Sequence, residues 1–287
     1  MATDTTKLSS GDVWLVALDI DGTVIYEDGT LTDAVLDAVQ SARDAGHIVT
    51  LATGRSWEMT QPILESLELS PEYVVCANGA ITMKRDPELE AGYRRDLVET
   101  FDPGPVLRRI RKGLPKGLFL VEDAKGHRLY TEGMTEWNLT NATQVEFDDL
   151  MGTPATRVVV VSPGQDPDDF LSLIEALGLH QVSYYIGWTA WLDIAPAGVN
   201  KGTAMERVRG IHSIPRARVL AVGDGRNDIE MFEWAGAGGR AVAMGQAPDE
   251  VKAVATEVTD PVLEDGLVPV LAALPGVVIR DRPTSVG

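Results

Sequence analysis

The feature that most constrains the fold is an apolar stretch that ends in two carboxylates. Residues 13–20, VWLVALDI, are apolar apart from Asp19, and Asp21 and Gly22 follow directly. An apolar run of this kind is typical of a strand that is buried on both faces of a parallel sheet. Asp19 and Asp21 lie two residues apart at its carboxyl end, so their side chains face the same side, where open α/β sheets bind ligands.

The segments that follow this strand alternate between helix and strand patterns. The apolar spacing predicts helix, strand, helix and strand at 32–46, 47–53, 56–69 and 72–78. The same rhythm returns from about residue 200. Short strands that alternate with helices form right-handed βαβ units. We therefore expect an α/β fold whose core is a Rossmann-like, doubly wound parallel sheet.

The middle of the chain has a different pattern. From about residue 84 to 193 the strand signals alternate between polar and apolar residues, and 117–132 has the pattern of a hairpin. This mixture of hairpins and helices is typical of a separate α+β unit. The sequence therefore predicts a core formed by residues 1–83 and 194–287, with an inserted α+β cap domain in residues 84–193.

Composition and charge exclude several classes of function. The 287 residues carry a formal net charge of −18, which argues against a nucleic-acid partner and against an anionic membrane surface. The single cysteine, Cys76, and the four scattered histidines give neither a disulfide framework nor a zinc site. We find no bilayer-spanning apolar segment and no signal-peptide pattern, so we expect a cytoplasmic protein. The sequence leaves its oligomeric state open.

Three further motifs place polar residues at the ends of predicted strands and helices. Thr53-Gly54 follows the second strand, and Lys201 opens a helix, where its charge is unfavourable for the helix dipole. Asp224 ends another apolar strand in a glycine loop, and Asn227-Asp228 then begins a helix. Each motif alone has a simpler interpretation as a turn, a helix cap or a solvated lysine.

The combination of the motifs is more specific than any one of them. In a doubly wound sheet these strand ends lie side by side, which brings four carboxylates to Lys201 and the Thr53 hydroxyl: Asp19, Asp21, Asp224 and Asp228. Close carboxylates repel one another unless a hard cation joins them, and oxygen ligands that leave room for water and phosphate suit Mg²⁺. The cluster predicts a metal-assisted phosphoryl-transfer site with a carboxylate nucleophile.

With these four motifs in this order, the chain resembles the haloacid dehalogenase (HAD) superfamily of phosphatases. The matching stretches are DIDGT (19–23), TGR (53–55), Lys201 and GDGRND (223–228). About 30 residues separate Asp21 from Thr53, which is too few for a cap, whereas about 150 separate Thr53 from Lys201. This spacing is similar to that of Cof-type members, which form subclass IIB and carry a C2 cap.

The resemblance implies a role for each matching residue. Asp19 would be the nucleophile that becomes an aspartyl-phosphate, and Asp21 would be the general acid and base. Mg²⁺ would be held by Asp19, the backbone carbonyl of Asp21, Asp224 and Asp228. The phosphate would be held by Thr53, Gly54, Lys201 and Asn227. The residues implied to contact the substrate are Asn78 and Arg55.

The expected function is Mg²⁺-dependent hydrolysis of a small phosphorylated metabolite, with a sugar phosphate as the leading expectation. Two alternatives stay open. One is a phosphosugar mutase similar to the phosphomannomutases, which share this core and cap class. The other is a non-catalytic protein that binds a phosphorylated metabolite on the same scaffold. The predicted cap also contains four arginines that either reach a second anionic group or form ordinary ion pairs: Arg94, Arg95, Arg128 and Arg157.

Overall fold

The computed structural model describes residues 12–133, 139–179, 182–186 and 190–279. The strands are β1 (Leu15–Leu18), β2 (Ile48–Leu51), β3 (Tyr73–Cys76), β4 (Ile81–Arg85), β5 (Tyr93–Val98), β6 (Leu118–Asp123), β7 (Arg128–Tyr130), β8 (Ala142–Gln144), β9 (Ala155–Val161), β10 (Val182–Ile186), β11 (Trp191–Pro196), β12 (Val219–Gly223), β13 (Arg240–Ala243) and β14 (Glu257–Val258). The helices are α1 (Asp33–Asp44), α2 (Trp57–Ser66), α3 (Gly104–Gly113), α4 (Pro167–Leu177), α5 (Lys201–Ile211), α6 (Ile229–Gly236), α7 (Asp249–Val254) and α8 (Leu267–Ala272). None of the described helices combines the length and the apolarity that crossing a bilayer requires.

The apolar strands from the two ends of the chain form one parallel sheet. Five strands pair in the order β14-β13-β12-β1-β2, and a parallel bridge places β3 beyond β2. Along β1, Leu15 and Ala17 pack with α5 and α6 on one face, whereas Val16 and Leu18 pack with α1 and α8 on the other. Because helices cover both faces, every residue of β1 is buried, which explains its continuous apolar sequence. The predicted doubly wound core is confirmed.

The strand order positions the acidic motifs. The chain continues from β1 to β2 on one side of the sheet, whereas β12 lies against β1 on the other side. A reversal of this kind leaves a crevice at the carboxyl ends of the two central strands. Asp19 follows β1 directly and Asp224 follows β12 directly, so both motifs lie at this crevice.

The middle of the chain forms a second sheet, in the order β10-β11-β9-β6-β7-β8. Strands β7 and β8 pair parallel, and the other neighbours pair antiparallel. Helices α3 and α4 cover one face, where Leu107, Phe119 and Phe170 are fully buried. The α+β cap and the hairpin formed by β6 and β7 therefore agree with the sequence-based expectation.

We place the start of the inserted segment later than residue 84. That residue is inside β4, which pairs with β3 and β5, and neither β4 nor β5 was predicted from the sequence. The Glu99 amide still donates to the Ala80 carbonyl at 2.8 Å, next to β4. Two residues further on, the Phe101 amide donates to the Ala155 carbonyl of the cap sheet at 2.9 Å. The chain thus passes from the core to the cap between these two bonds.

The end of the inserted segment is set by β11. Residue 193 lies inside this strand, which pairs with β9 and continues along β10 as far as Pro196. The chain then returns to the core at α5. We propose that the cap comprises residues 101–196 instead of 84–193.

Helix α1 begins after an N-cap residue, Thr32, whose side chain also contacts a residue near the end of the chain. The Thr32 hydroxyl accepts a hydrogen bond from the Val35 amide at 3.2 Å and donates one to Asp265 at 2.7 Å. We expect Thr32→Ala to lower the free energy of unfolding by about 1–2 kcal/mol, because both bonds are lost. Urea denaturation measures the change, and Thr32→Ser, which keeps the hydroxyl, should stay within about 0.5 kcal/mol of wild type. Equal losses in both variants would contradict a capping role.

Candidate active site

Asp19 and Lys201 form the centre of the site. The Asp19 amide continues the sheet by donating to the Val222 carbonyl at 2.9 Å. Its carboxylate is buried and accepts a hydrogen bond from Lys201 Nζ at 2.7 Å. Burial lowers the pKa of the Lys201 ammonium, but the charges of Asp19 and Asp228 outweigh this effect and shift the pKa upward. The buried lysine therefore remains charged and fixes the carboxylates around it.

A capping box sets the position of Lys201. The Asn200 side-chain oxygen accepts a hydrogen bond from the Thr203 backbone amide at 2.8 Å. The Thr203 hydroxyl in turn accepts one from the Asn200 backbone amide at 3.1 Å. Helix α5 consequently begins at Lys201. An ammonium there is unfavourable for the helix dipole, and its two carboxylate partners offset that cost.

Asp228 connects Lys201 to the loop after β12. Its Oδ1 accepts a hydrogen bond from Lys201 Nζ at 2.7 Å. Its Oδ2 accepts hydrogen bonds from the amides of Asp224 and Gly225 at 3.0 and 2.9 Å. The side chain is fully buried, so these three donors replace the water that the carboxylate loses on folding. Asp228 thereby orders the loop that carries Asp224.

Asp224 faces Gly22 across the crevice. Gly22 has φ +69°, and a Cβ at this position would lie 2.1 Å from Asp224 Oδ2. Both facts require glycine, which explains the Asp-Gly pair in the first motif. The amide of Gln246 donates to the Gly22 carbonyl at 2.6 Å and to Asp224 Oδ2 at 3.0 Å. The loop after β13 therefore joins the two acidic motifs.

Three carboxylates meet closely enough to share a cation. One oxygen atom from each of Asp19, Asp224 and Asp228 lies within 4.8 Å of the others. Burial, followed by the charge of Asp228, raises the pKa of the Asp224 carboxyl to about 7. Burial also raises the pKa of the Asp19 carboxyl, although Lys201 opposes the rise. A set of oxygen donors with more negative than positive charge fits Mg²⁺.

Asp21 lies outside this group of three carboxylates and is paired with Arg55. The guanidinium donates to both carboxylate oxygens, from Nε at 2.9 Å and from Nη2 at 2.5 Å. Fifty-five per cent of the Asp21 side chain is accessible, whereas Asp19 is buried. The expected cluster of four carboxylate side chains is thus a cluster of three with an ion pair at its edge. A contact between Mg²⁺ and the Asp21 backbone carbonyl stays a prediction.

Thr53 and its neighbours connect the second motif to β3. Thr53 is fully buried, and its hydroxyl accepts a hydrogen bond from the Arg55 amide at 3.1 Å. Its own amide donates to the Val75 carbonyl at 3.0 Å, and its carbonyl accepts from the Asn78 amide at 3.0 Å. This ladder places Asn78 beside the TGR motif, as the sequence-based assignment requires.

Asn78 and Asn227 meet beside Gly54. Asn227 Nδ2 donates to Asn78 Oδ1 at 3.0 Å. A Cβ at Gly54 would lie 3.1 Å from Asn78 Oδ1 and 3.3 Å from Asn227 Nδ2. Two of the predicted phosphate-binding residues, Gly54 and Asn227, therefore lie together, and Asn78, which follows β3, lies beside both.

Two residues of the site carried no prediction from the sequence. Gln246 lies in the loop after β13, outside the four motifs of the sequence analysis. Asp193 lies in the apolar strand β11 and accepts a hydrogen bond from Asn78 Nδ2 at 2.9 Å. A lone acidic residue inside an apolar strand is the signal that would have pointed to Asp193.

Comparison with known proteins establishes the family. A family model described as haloacid dehalogenase-like hydrolase matches residues 16–100 and 118–271, which include all the site residues named above. The chain belongs to the haloacid dehalogenase-like hydrolases. It is a Cof-type phosphatase within that family.

Relatives of known activity and known structure agree with this assignment. The chain is 27% identical over 270 residues to the 5-amino-6-(5-phospho-D-ribitylamino)uracil phosphatase YitU of Bacillus subtilis, with 88% of this chain and 94% of the relative covered. It is 29% identical to the pyridoxal phosphate phosphatase YbhA of Escherichia coli, with 83% and 90% covered. The structure of the HAD subclass IIB sugar phosphatase BT4131 superimposes with a TM-score of 0.74 at 17% identity, covering 92% and 100%. At that identity the superposition shows a shared fold.

Because the pKa of the Asp224 carboxyl is raised, we expect stabilisation by Mg²⁺ to depend on pH. Without metal, Asp224 keeps its proton up to about pH 7 in the folded protein but loses it near pH 4 in the unfolded chain. The free energy of unfolding therefore falls as pH rises through this range. We expect Mg²⁺ to offset this loss, and to raise the melting temperature more at about pH 8 than at about pH 5.5. Thermal unfolding with Mg²⁺ or with EDTA at each pH measures the difference.

Two variants control this experiment. Asp224→Asn removes the titrating carboxylate and should reduce the Mg²⁺ effect at both pH values. Asp96→Asn makes the same chemical change at an exposed residue paired with Arg94, and should behave like wild type. An Mg²⁺ effect of equal size at both pH values in the wild-type protein would show that these carboxylates do not hold the ion.

Proposed function

We propose that the protein is an Mg²⁺-dependent phosphomonoesterase that transfers the phosphoryl group of a small metabolite to Asp19 and then to water. The observation that carries this proposal is the buried contact of Asp19 with Lys201, next to Asp224 and Asp228. A nucleophilic carboxylate must be held in one orientation close to positive charge, because it attacks a phosphate that is itself anionic.

Asp19 is the proposed nucleophile. Lys201 Nζ holds Oδ1 at 2.7 Å, which leaves the other carboxylate oxygen to attack phosphorus. As the new P–O bond to Asp19 forms, the P–O bond of the ester breaks and the electron pair leaves with the metabolite oxygen. Water then attacks the phosphorus, which releases inorganic phosphate and restores the Asp19 carboxylate.

Asp21 is the proposed general acid and base. It protonates the departing oxygen in the first step and takes a proton from the attacking water in the second. Its exposed position at the crevice gives it access to both oxygens. The two hydrogen bonds from Arg55 hold the carboxylate oxygens. At least one of these bonds has to open during turnover, and Arg55 is then available to the substrate.

The phosphate group would be held by residues from three loops. These are the Thr53 hydroxyl, the Gly54 amide, the Lys201 ammonium and the Asn227 amide. Mg²⁺ would neutralise charge on the phosphate and on the carboxylates. It would be held by Asp19, the Asp21 backbone carbonyl and Asp224, with Asp228 beside them. All of these groups come from the core, whereas the cap sheet lies over the crevice through Asp193 and its contact with Asn78.

The proposed substrate is a small phosphorylated metabolite with a hydroxylated, sugar-like leaving group. The relatives named above act on a phosphorylated ribityl compound and on pyridoxal phosphate, and a fold neighbour is a sugar phosphatase. A phosphorylated polyol or sugar shares the alkyl phosphate of these compounds and offers hydroxyl groups for the polar side chains of the cap.

The roles of Asp19 and Asp21 predict different kinetic defects. With Mg²⁺ and p-nitrophenyl phosphate, Asp19→Asn should lower kcat by about 10⁴-fold or more, because no phosphoryl-enzyme forms. Asp21→Asn should release a burst of at most about one p-nitrophenolate per site and then turn over slowly, because this leaving group needs no proton but hydrolysis of the intermediate needs a base. Stopped-flow absorbance measures both.

The same assay separates the alternative functions. A mutase would require a bisphosphorylated activator and would interconvert sugar phosphates without steady release of phosphate. A non-catalytic binding protein would show no turnover in the wild type. Full activity in Asp19→Asn, with the Asp96→Asn control also active, would rule out Asp19 as the nucleophile.

The substrate class is tested by a panel of phosphate esters with detection of free phosphate. We expect kcat/KM to be higher for phosphorylated sugars and polyols than for pyridoxal phosphate or for nucleoside monophosphates by about tenfold or more, as hydrogen-bonded hydroxyl groups are strong discriminators. The panel has to be run at one Mg²⁺ concentration and one pH. A preference for a metabolite with an aromatic leaving group, such as pyridoxal phosphate, would contradict the sugar-like assignment.

A further inference from the structure

A row of charged residues crosses the face of the cap sheet that lies opposite its helices. In the strand register, Glu122 is directly opposite Arg128 on β7 and directly opposite Arg157 on β9. Asp193 on β11 lies next along the row, with Arg157 Nε donating to its Oδ1 at 2.9 Å. The charges therefore alternate across four neighbouring strands, and all four residues are buried or nearly so.

This charged row contacts the core at both ends. At one end, Arg128 Nη2 donates to the Ser56 hydroxyl at 2.9 Å and to Glu58 at 2.5 Å, both at the start of α2. At the other end, Asp193 Oδ2 accepts from Asn78 Nδ2 at 2.9 Å. Arg128 and Arg157, two of the four arginines that the sequence placed in the cap, are thus held in buried ion pairs, which answers the question that the sequence left open for them.

The contact at Asp193 fixes the orientation of two amides. A carboxylate paired with an arginine only accepts hydrogen bonds, so Asn78 has to turn its NH₂ group towards Asp193. The Asn78 carbonyl oxygen then faces the other way and accepts from Asn227 Nδ2 at 3.0 Å. Asn227 consequently presents its NH₂ group, not its carbonyl oxygen, on the side that faces Asn78 and Gly54.

The backbone around Asn78 leaves this side chain little freedom. Asn78 is buried and has a left-handed conformation, with φ 51° and ψ 33°. The next residue, Gly79, has φ +99°, and a Cβ there would lie 2.3 Å from the Asn200 carbonyl, just before Lys201. The loop that carries Asn78 is therefore packed tightly against the start of α5, and the direction of the amide is set by Asp193.

We propose that Asp193 and Asn78 are positioning residues that orient the Asn227 amide for phosphate binding, with Arg157 holding Asp193 in place. This inference rests on the proposed function, because it assigns a purpose to Asn227 at the phosphate. Asp193 belongs to the cap and Asn227 to the core. The orientation of a phosphate-binding amide thus depends on the position of the cap sheet.

A charged pair that only stabilised the fold would not need Asn78. Buried ion pairs are poor stabilisers compared with apolar side chains of similar size, because both ions lose their water. Here one oxygen of Asp193 serves Arg157 and the other serves an asparagine of the core. A directed chain of hydrogen bonds to a residue of the active site is what the second oxygen adds.

Substitutions can reverse, and then restore, the donor–acceptor direction of the hydrogen bonds from Asp193 through Asn78 to Asn227. In Asp193→Asn, the new side-chain oxygen accepts from Arg157, so the new NH₂ group faces Asn78. Asn78 then has to rotate its amide by half a turn so that its oxygen accepts from this NH₂ group. Its own NH₂ group then faces Asn227, whose amide has to rotate as well. Asn78→Asp combined with Asp193→Asn exchanges carboxylate and amide, and the new carboxylate again accepts from Asn227. Asn78→Gly keeps the left-handed backbone without strain and deletes the amide. Asp96→Asn is the matched control.

Four quantities are measured for each variant: kcat and KM with p-nitrophenyl phosphate, the affinity for inorganic phosphate by calorimetry with Mg²⁺ present, and the melting temperature. We expect Asp193→Asn and Asn78→Gly to weaken phosphate binding and to lower kcat/KM by about tenfold each, the effect of one misdirected hydrogen bond to a charged ligand. In the exchanged double variant, phosphate affinity and kcat/KM should return to within about threefold of the wild-type values. Asp96→Asn should not differ from wild type.

The outcomes separate this inference from the proposed function. Failure of the wild type to hydrolyse any phosphate ester contradicts the proposed function, whereas phosphate affinity still tests the orientation of Asn227. Unchanged phosphate affinity in both Asp193→Asn and Asn78→Gly, or a double variant no better than Asp193→Asn, overturns the positioning role. Lower melting temperatures with normal kcat and normal phosphate affinity would likewise overturn it, as they indicate a purely structural role.

Discussion

The site depends on the ammonium of Lys201, which lies 2.7 Å from one oxygen of Asp19 and 2.7 Å from one oxygen of Asp228. All three side chains are buried, and none could remain charged there alone. The lysine joins the end of β1 to the loop after β12, which are the two sides of the crevice. With Asp224, three carboxylates lie around one ammonium, and this excess of negative charge suits the crevice to a cation. The two ion pairs of Lys201 therefore hold the geometry of the crevice.

The parts of the fold that the sequence predicted are those with a local cause. Strand β1 is apolar because helices cover both faces of the sheet, and Asp19 and Asp224 interrupt such strands at the point where a doubly wound sheet opens. The glycine after Asp21 has a local cause as well, since the turn requires a positive φ and no side chain fits against Asp224. Motif and strand pattern together were sufficient to place Asp19, Lys201 and the acidic loop in one crevice.

The parts that the sequence did not predict depend on contacts between distant segments. The first boundary that we propose for the cap falls where Glu99 bonds to the core and Phe101 bonds to β9, and no residue near position 84 marks that change. The Arg55 guanidinium pairs with Asp21, so a fourth carboxylate does not join the cluster. The partners of Asp193 are 36 and 115 residues away along the chain. Pairing of this kind needs the strand register of the cap sheet and its placement on the core.

The distribution of charge between cap and core affects how much free energy a separation of the two would cost. An apolar contact of the same size would hold the two sheets together at all times, because separation would expose apolar surface to water. The cap–core contacts described above instead join charged, hydroxyl and amide side chains, and water would solvate each of these groups again on exposure. Separation of such a surface costs less, and the hydrogen bond of Asp193 to Asn78 would break with it. Asn227 would then lose its fixed direction whenever the cap is away, so an open site would bind phosphate less tightly than a closed one, which favours release of the product.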